Sequence, residues 1–570
     1  MKIGLFVVVF IKCALADGCA EYRAAYGIVC MCNETYCDSR EAVGDLGNGT
    51  VAVYTSSKGS GKRMFRSEAK LTTSDTGGVI IEVDDTSVEQ RITGFGGAFT
   101  DASAYHVMDN LSPKARDGLF SSYFGALGNA YSVGRVPLGS SDFSAQSYSL
   151  VENGNLATFQ LRDDRSQGTD YKLEMIQEAM RYRQGRPLQV FMSIWSAPVA
   201  WKSCKTSPKI SLNTCGGLAG RILGQNVPTY EFGGLSPDPA IRDKYAKYYL
   251  KFIEEYHARN VTLYGLTTQN EPSGNPMKNK WENTFYTPQD EFDFAVKHLG
   301  PVVKKQFPGI KLMIGDDQYT SVNTYGGLAS KAPTVIDGVT YHWYRSLGGI
   351  LENTKAILFN SAGGGVQIGE TNRKYKLNNT KPGFSFTLAT EASNGFLPGS
   401  SHVEPGSWNR GYAYSRDIIH QLGNGAAGWV DWNLVLDSNG GPNHANNFVD
   451  AAVIWLNRTH FFKNPMFYSI GHFSSFVPPG STRLGIVGSD DSYVDNKEIE
   501  TVAFRTPNNQ IVVVAINDRL ETTGKFLWIL KKFATSRPAL KTVSGNIKYK
   551  GQYVPFTLQP HEIQTFVFSA

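Results

Sequence analysis

Short apolar runs alternate with amphipathic stretches along most of the chain, from about residue 92 to residue 435. The stretch PAIRDKYAKYYLKFIEEYHA at 239–258 has apolar residues three and four positions apart, which is the spacing of a helix with one buried face. The apolar runs include PLQVFMSIW (187–195), VTLYGLTTQNE (261–271), IKLMIGDDQ (310–318), VIDGVTYHWY (335–344), GFSFTLATE (383–391) and AAGWVDWN (426–433). This alternation predicts an α/β fold, a (β/α)8 TIM barrel. A doubly wound open sheet is the alternative, and the lack of a glycine-rich phosphate turn disfavours it.

The sequence changes character on both sides of this region. The segments TVAFRTPNNQIVVVAINDRL, TGKFLWIL and YVPFTLQPHEIQTFVFSA are short β runs separated by turn residues, as are TVAVYTS (50–56) and VIIEVD (79–84) near the other end. We therefore expect a discontinuous antiparallel β-sandwich. The predicted boundaries are 46–91 and 480–570 for the sandwich, 92–433 and 466–479 for the barrel, and 17–45 for a small disulfide-rich β region with 434–465 as its candidate packing partner.

The first residues, MKIGLFVVVFIKCALADG, combine a lysine, an apolar core at 3–11 and a small-x-small pattern at 14–16. These features predict a signal peptide over residues 1–16, with an uncleaved anchor as the weaker alternative. The core is too short to span a bilayer, and no later segment reaches about 18 uninterrupted apolar residues, so we expect no transmembrane segment.

Six cysteines remain after Cys13 leaves with the predicted signal peptide. An even number in a secretory chain indicates disulfides rather than zinc. The six are Cys19, Cys30, Cys32 and Cys37 near the start, and Cys204 and Cys215, whose isolation favours a mutual pair. The candidate glycosylation sequons are at Asn33, Asn48, Asn110, Asn260, Asn378 and Asn457, which agrees with the secretory pathway.

The charge balance is mild. Loss of Lys2 and Lys12 with the signal peptide would lower the formal net charge from +5 to +3, and no stripe of basic residues indicates nucleic-acid binding. The ten histidines would add positive charge in acid, which is compatible with binding to anionic lipid.

No set of His, Asp and Glu has the spacing of metal ligands, so we expect no metal or other cofactor. We expect His342 to be a structural hydrogen-bond partner or a sugar contact.

Polar side chains are grouped where the predicted strands end. The groups are Trp195; Asn270 and Glu271; Asp316, Asp317 and Gln318; His342, Trp343 and Tyr344; Glu391; and Asp431, Trp432 and Asn433. In a barrel these ends meet at one face, where active sites are built. Because burying a carboxyl group is costly, Glu271 directly after an apolar run needs a chemical reason. A partly buried carboxyl group can keep its proton and act as an acid.

Glycoside hydrolysis requires a second carboxyl group across the substrate. Glu391 in FTLATEASNG is the favoured partner of Glu271, because it has the same position at the end of a strand. Glu370 in VQIGETN is the alternative, without a neighbouring proline or aromatic residue. A retaining mechanism places the two groups roughly 5 Å apart, one as nucleophile and the other as acid and then base.

Other polar residues fit a sugar substrate. Asn270 is suited to bond the hydroxyl beside the anomeric carbon, and Tyr344 to orient the nucleophile. Asp142 in RVPLGSSDFS is suited to bind sugar hydroxyls, and Trp195 and Trp432 to offer flat apolar faces to a pyranose.

At these residues the chain resembles the glucosylceramidase family, the lysosomal acid β-glucosidases of glycoside hydrolase family 30. The shared motifs occur in the family's order: CMCNETYCDS, GFGGAFTDA, YSVGRVP, SDFS, NEPS, DDQ, HWY, TEAS, GWVDWN, GGPNHANNFVD and PMFYSIGHFSSFVPPGS. The resemblance implies a barrel with a discontinuous β-sandwich and a small disulfide-rich N-terminal sheet. It also implies the disulfides Cys19–Cys30 and Cys32–Cys37.

The resemblance implies that Glu271 is the acid/base and Glu391 the nucleophile. The implied glucosyl contacts are Asp142, Trp195, Asn270, Trp432 and Asn447. The implied reaction releases glucose from glucosylceramide at a membrane surface, helped by anionic phospholipid and a saposin-like activator protein. The implied location is the lysosome, reached through the secretory pathway, with secretion as the alternative.

Three positions depart from the family's pattern. Trp201 stands one residue later than the usual tryptophan, His444 replaces a tryptophan in the GGPN loop, and Ser393 replaces a cysteine. The insert around Cys204 and Cys215 lengthens a loop near the rim of the site.

The alternative functions are of two kinds. One is another family 30 activity, a β-1,6-glucanase or xylanase. The other is a catalytically inactive sugar- or lipid-binding protein, which the presence of both carboxyl groups disfavours.

Overall fold

A computed structural model describes the protein at residues 18–59, 61–162, 171–204, 233–273, 281–345, 384–396, 401–487, 494–495, 499–518 and 539–570. The sequence predictions that lie outside these residues are the signal peptide at 1–16, the Cys204–Cys215 disulfide and most of the insert around it, the alternative carboxyl group of Glu370, the sequon at Asn378 and the β run TGKFLWIL.

Eight parallel strands form a closed barrel. In chain order they are β1 (Gly94–Ala98), β2 (Val133–Leu138), β3 (Gln189–Ile194), β4 (Gly265–Thr267), β5 (Lys311–Gln318), β6 (Gly338–His342), β7 (Phe386–Glu391) and β8 (Gly428–Asn433). Each strand pairs with the next, and β8 pairs with β1, with Gly428 opposite Gly94. The closure confirms the predicted barrel and excludes the open doubly wound sheet.

Apolar side chains fill part of the barrel interior. One cluster consists of Val133, Phe191, Met313, Leu388 and Val430, which come from five different strands and are all buried. Inward-pointing branched and aromatic residues are the usual filling of such a barrel. Polar side chains are therefore concentrated at the carboxyl ends of the strands.

Helices surround the barrel. They are Asp101–Ala104, Pro113–Phe124, Tyr171–Tyr182, Pro239–Ala258, Pro288–Phe294, Gly300–Gln306, Val322–Ala329, Trp408–Gly423 and Pro465–Ser474, with 3-10 or π turns at Tyr105–Asn110, Leu156–Thr158, Val199–Trp201, Ala295–Leu299, Tyr319–Ser321 and Trp343–Arg345. The helix Pro239–Ala258 has the bounds that its periodicity predicts. Asp238 caps it by accepting a hydrogen bond from the Ala240 N–H at 2.9 Å.

The second domain is a β-sandwich built from both ends of the described chain. In spatial order its strands are Gln552–Leu558, Val543–Tyr549, Val79–Arg91, Thr482–Ile486, Glu500–Arg505, Gln510–Asn517, Glu562–Ser569, Thr50–Ser57 and Phe65–Lys70, and Val494–Asp495 pairs with Glu500–Arg505. The neighbouring strands are antiparallel except Val543–Tyr549 and Val79–Arg91, which are parallel. Thr50–Ser57 lies beside Glu562–Ser569, so the predicted discontinuity is confirmed.

A third sheet joins the N-terminal region to the segment that follows β8. Its strands, in spatial order, are Glu21–Arg23, Ile28–Asn33, His460–Lys463, Val453–Asn457 and Val435–Leu436. The disulfides Cys19–Cys30 and Cys32–Cys37 are present, as the resemblance implies. A short two-stranded ladder, Lys202–Cys204 with Gly233–Leu235, lies in the loop after β3.

The helix Pro465–Ser474 lies between the barrel and the sandwich. Its His472 is buried, with Nδ1 2.9 Å from the Thr565 hydroxyl and Nε2 2.9 Å from the Ser56 hydroxyl. Thr565 and Ser56 belong to the paired sandwich strands Glu562–Ser569 and Thr50–Ser57. Burial lowers the pKa of His472 to about 3, so the ring is neutral. Within the described residues, no helix has both the length and the apolar character needed to cross a bilayer.

Candidate active site

The carboxyl ends of the strands bring the predicted polar groups to one mouth of the barrel. His342 ends β6, Glu391 ends β7, and Glu271 follows β4. The backbone N–H of Glu271 donates to the carbonyl oxygen of Asp316 at 2.8 Å, which joins the loop after β4 to the end of β5. Glu271 has a φ of 44°, in the left-handed region that non-glycine residues rarely adopt. Backbone strain of this kind is concentrated at functional sites.

The two glutamates are close together. A carboxylate oxygen of Glu271, a carboxylate oxygen of Glu391 and a ring nitrogen of His342 all lie within 4.8 Å of one another. The exposed fraction is 14% for the Glu271 side chain and 8% for that of Glu391. The spacing resembles the roughly 5 Å of retaining glycosidases rather than the wider separation that leaves room for a water molecule in inverting ones.

Both oxygens of Glu391 have protein donors. The Tyr344 hydroxyl donates to Oε1 at 2.6 Å, and the Arg135 guanidinium donates from Nη1 to Oε2. A guanidinium and a phenol together fix the plane of the carboxylate and distribute its charge over two hydrogen bonds. Glu391 is therefore held in one orientation.

The donors to Glu271 are arranged differently. Gln318 Nε2 donates to Oε1 at 2.7 Å, and His342 Nδ1 lies 3.1 Å from the same oxygen. The Asn283 side chain donates to the Glu271 carbonyl oxygen at 3.0 Å. Within the part of the chain that the structure describes, both side-chain donors reach Oε1, and Oε2 has no donor.

A buried ion pair lies beneath the two glutamates. Arg135 of β2 donates from Nη2 to Asp316 Oδ2 at 2.7 Å and to Asn270 Oδ1 at 2.8 Å. Burial would lower the pKa of Arg135, but the charges of Asp316 and Glu391 outweigh it and raise this pKa. Burial would also raise the pKa of Asp316, yet the Arg135 charge holds it well below its usual range. Both groups are therefore charged, as a buried pair must be to remain compensated.

Hydroxyl groups complete the coordination of Asp316. Ser193 and Thr267 donate to Oδ2 at 2.7 and 2.9 Å, and Thr390 donates to Oδ1 at 2.6 Å. These residues come from β3, β4 and β7. One carboxylate thus joins several strands at the base of the site.

His342 connects the ion pair to the glutamates. Its Nε2 is 3.3 Å from Asp316 Oδ1, and its Nδ1 faces Glu271 Oε1. Burial lowers the pKa of His342, but the Glu391 charge and the bonds to Asp316 and Glu271 raise it to about 10. The ring is therefore an imidazolium that donates from both nitrogens.

The two predicted tryptophans form one wall of the mouth. Trp195 and Trp432 are stacked, with ring centroids 5.1 Å apart, and both are only 2% exposed. The Arg135 guanidinium lies 4.8 Å from the Trp195 centroid and 5.3 Å from that of Trp432. The rings therefore cover one another and the cation, an arrangement that differs from two open faces for a pyranose.

Asp142 and Asn447 meet in the loops after β2 and β8. Asn447 Nδ2 donates to Asp142 Oδ2 at 2.9 Å, and Asn443 Nδ2 lies 3.5 Å from the same oxygen. Burial raises the pKa of Asp142 to about 8, so the group is protonated in acid. A buried carboxylic acid beside two amides can both donate to and accept from a sugar hydroxyl.

Other predicted positions have separate surroundings. Trp201 is buried against Tyr245 and Tyr248 of the helix Pro239–Ala258, and its Nε1 donates to the Gly154 carbonyl at 3.2 Å. Trp201 therefore anchors a loop. The sequon residues Asn48, Asn260 and Asn457 are exposed, whereas Asn33 and Asn110 are half-buried.

Glu271, His342 and Glu391 could supply three ligand atoms to a metal ion by distance alone. The charges of these three groups do not suit a metal ion. An imidazolium has no free lone pair, and Arg135 already places a positive charge against Glu391. A further cation would be repelled, and the set is suited instead to acid/base and nucleophilic chemistry.

Arg135 is a site residue that the sequence motifs did not predict, and Asp316 and Gln318 were predicted only as polar groups at a strand end. A signal was present for Arg135, since it is a single charge within the apolar strand VGRVPL. A cation in a buried strand requires a carboxylate partner. Nothing in the sequence indicated which carboxylate.

A closed parallel barrel with two carboxyl groups at this spacing at its mouth is typical of glycoside hydrolases. The models of two domains of one family match the chain: the glycosyl hydrolase family 30 TIM-barrel domain at residues 92–477 and the family 30 beta sandwich domain at residues 480–526. The chain belongs to glycoside hydrolase family 30 and is a glycosidase.

Curated relatives are similar over most of their length. "Putative glucosylceramidase 4" of Caenorhabditis elegans is 35% identical over 511 residues, covering 88% of this chain and 88% of that one. The lysosomal acid glucosylceramidase of Mus musculus is 32% identical over 512 residues, covering 88% of this chain and 90% of the mouse protein.

A solved structure of an endo-β1,6-glucanase is similar in fold. Its TM-score is 0.71 with 21% sequence identity, and the match covers 92% of this chain and all of that one. At this identity the similarity supports the barrel and sandwich architecture alone.

Proposed function

We propose that this protein is a retaining β-glucosidase that hydrolyses glucosylceramide to glucose and ceramide. The observation that carries the proposal is the approach of the Glu271 and Glu391 carboxyl groups within 4.8 Å, next to His342. The similarity to glucosylceramidases at 32% and 35% identity supports the choice of substrate.

In the first step, the Glu391 carboxylate attacks the anomeric carbon and displaces the ceramide oxygen. Glu271 donates its proton from Oε2 to that oxygen, so ceramide leaves as a neutral alcohol. Arg135 and Tyr344 hold the attacking carboxylate in line. The product is a covalent glucosyl ester on Glu391.

In the second step, Glu271 accepts a proton from water as the water oxygen attacks the anomeric carbon. The ester bond breaks, glucose leaves and the Glu391 carboxylate is restored. Gln318 and His342 keep Glu271 Oε1 occupied throughout, so Oε2 gives the proton in one step and receives it in the next.

The sugar is held by groups on both sides of the two glutamates. We assign its remote hydroxyls to Asp142 and Asn447, which already bond one another at 2.9 Å. Asn270 contacts the hydroxyl beside the reacting carbon, and the Trp195–Trp432 stack forms the adjoining wall. These five residues are the glucosyl contacts that the resemblance implies, with the two tryptophans as a wall rather than as open faces.

The proposed substrate suggests where in the cell the enzyme acts and with which partners. A ceramide is anchored in a membrane, so we propose that the enzyme acts at a lumenal membrane surface in the lysosome, with anionic phospholipid and a saposin-like activator as partners. The pKa of Asp142, about 8, lies well above the pH of a lysosome. Asp142 would therefore be protonated there and able to donate a hydrogen bond to a sugar hydroxyl.

The test compares substrates. Glucosylceramide in vesicles with and without anionic phospholipid, and soluble β-1,6-glucan, are each assayed at pH 5. We expect glucose release from glucosylceramide, increased by the anionic lipid. Cleavage of the glucan alone would refute the lipid substrate and favour the glucanase function.

A mechanism-based 2-fluoro-glucoside followed by peptide mapping tests the assignment of residues. We expect the label on Glu391. Label on Glu370 would refute the choice of nucleophile, and binding without any label would indicate an inactive sugar-binding protein.

A further inference from the structure

A second carboxylate–imidazole contact lies beside the pocket, outside the catalytic pair. His444 belongs to the loop after β8, and Glu282 to the segment that follows Glu271 and β4. His444 Nε2 is 3.4 Å from Glu282 Oε2, and the side chains are 17% and 1% exposed. His444 is one of the positions at which the sequence departs from the family's pattern.

The His444 end of the pair holds the sugar-binding loop. The His444 backbone N–H lies 3.2 Å from the carbonyl oxygen of Asp142 and 3.1 Å from that of Ser144, and it donates to both. Its ring Nδ1 is 3.1 Å from the same Ser144 carbonyl. The flanking residues Asn443 and Asn447 reach the Asp142 carboxyl group. A displacement of His444 would therefore displace the groups that we assign to the remote sugar hydroxyls.

The Glu282 end holds the acid/base loop. Its neighbour Asn283 donates to the Glu271 carbonyl oxygen at 3.0 Å and accepts from Lys202 Nζ at 2.6 Å. A few residues on, the Tyr286 N–H donates to the Pro272 carbonyl oxygen at 2.9 Å. The segment after Glu282 is thus hydrogen-bonded to the carbonyl oxygens of both Glu271 and Pro272.

Charge decides whether the two ends stay together. The groups that face the pair are Asp142 and Ser147 at the His444 side and Lys202 at the Glu282 side. Burial lowers the pKa of His444, but the charge of Glu282, whose Oε2 lies 3.4 Å from Nε2, raises it overall. Burial raises the pKa of Glu282, but His444 and Ser147 lower it overall. A buried carboxylate without a cation is costly, so the contact depends on a charged imidazole.

We propose that the Glu282–His444 ion pair is a positioning element that couples the Asp142 loop to the Glu271 loop, and that it makes the binding of the glucosyl group depend on pH. The inference rests on the proposed function. The pair forms where Glu282 is ionised and His444 is protonated. It is lost as the pH rises through the pKa of His444, and it is lost in strong acid as Glu282 takes up a proton.

The experiment measures kcat and KM for 4-nitrophenyl β-glucoside between pH 5 and 9 in the wild type, Glu282→Gln, His444→Gln and the double variant. At pH 5 to 6 each single change should raise KM about fivefold, with kcat changed less than about twofold, because a charge-assisted contact outside the reacting atoms is lost. The double variant should be no worse than either single one. The wild-type KM should rise with pH toward that of the variants. Asp142 and Lys202 are present in all of them, so their own titrations are common to the comparison.

His298→Gln is the matched control, since His298 Nδ1 lies 2.7 Å from Asp243 on an outer helix and should leave KM unchanged. Additive effects in the double variant, or a wild-type KM that tracks that of His444→Gln at every pH, would overturn the proposal. A lower melting temperature with unchanged KM would indicate a structural role alone. His444→Gln decides the question if buried Glu282→Gln does not fold. A wild type that cleaves only a β-glucan would refute the proposed substrate, and the same variants would then be measured on that glucan.

Discussion

The surroundings of Glu391 and Glu271 differ although the two carboxyl groups are close together. Glu391 ends a barrel strand and has a cation on one oxygen and a phenol on the other. Glu271 follows its strand in a left-handed backbone conformation and has an amide and an imidazolium on a single oxygen. Among the described residues, Glu391 thus has donors on both oxygens, whereas Glu271 has them on one oxygen only. The difference teaches that neighbouring donors, more than residue type, divide the proposed nucleophile from the proposed acid.

Glu391→Gln should give the largest effect. An amide cannot form the glucosyl ester, so kcat should fall on the order of 10⁵-fold for every aryl glucoside, whatever its leaving group. Stopped assays with 2,4-dinitrophenyl and 4-methylphenyl β-glucosides measure this. A loss confined to the poor leaving group would assign Glu391 to the acid and reverse the comparison.

Glu271→Gln should be selective. Removing a general acid costs about 10²- to 10⁴-fold when the leaving group needs a proton. We therefore expect that loss for the 4-methylphenyl glucoside and a much smaller one for the 2,4-dinitrophenyl glucoside, with azide restoring turnover. Equal losses for both substrates, without rescue, would refute the acid/base role.

Each side of the site is supported by a buried acid whose pKa burial raises to about 8. Glu291 accepts from the Gly315 N–H at 3.0 Å behind the Glu271 side, and Asp431 accepts from the Tyr414 hydroxyl at 2.7 Å behind the Glu391 side. The pKa values of these two acids are about 8 in the folded state and about 4 in the unfolded chain. The protonated acids therefore stabilise the fold fully below about pH 4, and this stabilisation is lost as the pH rises through 8.

Glu291→Gln and Asp431→Asn cannot ionise, so each should remove part of the decline in unfolding free energy between pH 5 and pH 8, of order 1 to 3 kcal/mol. Urea unfolding at the two pH values measures the change. Parallel curves for the variants and the wild type would show that these acids do not titrate in that range.

The smallest effects should come from the orienting donors. Tyr344→Phe removes a hydrogen bond from Glu391 and should lower kcat/KM roughly tenfold for both aryl glucosides. Gln318→Met removes one from Glu271 and should lower it by a similar factor for the poor leaving group only. If the two variants gave the same pattern, the two sides of the site would not be functionally distinct.

The sequence predicted which polar residues lie at the ends of the barrel strands better than it predicted their contacts. Glu271 and Glu391 were identified because a carboxyl group at the end of an apolar strand is unusual, and that is a local property. The role of Arg135 depends on residues of other strands, such as Asp316 and Asn270, and no periodicity encodes such contacts. The stacking of Trp195 on Trp432 could not be predicted from the sequence for the same reason.

The β-sandwich has a consequence for biosynthesis. Thr50–Ser57 pairs with Glu562–Ser569, so one of its neighbours is synthesised about 500 residues after it. At 5 to 20 residues per second, the early strand waits roughly 25 to 100 s for that partner. During this interval an apolar strand edge is uncovered while the whole barrel is synthesised and collapses, a state that invites aggregation and chaperone binding. This pairing therefore forms only after the segments between the two strands have been synthesised.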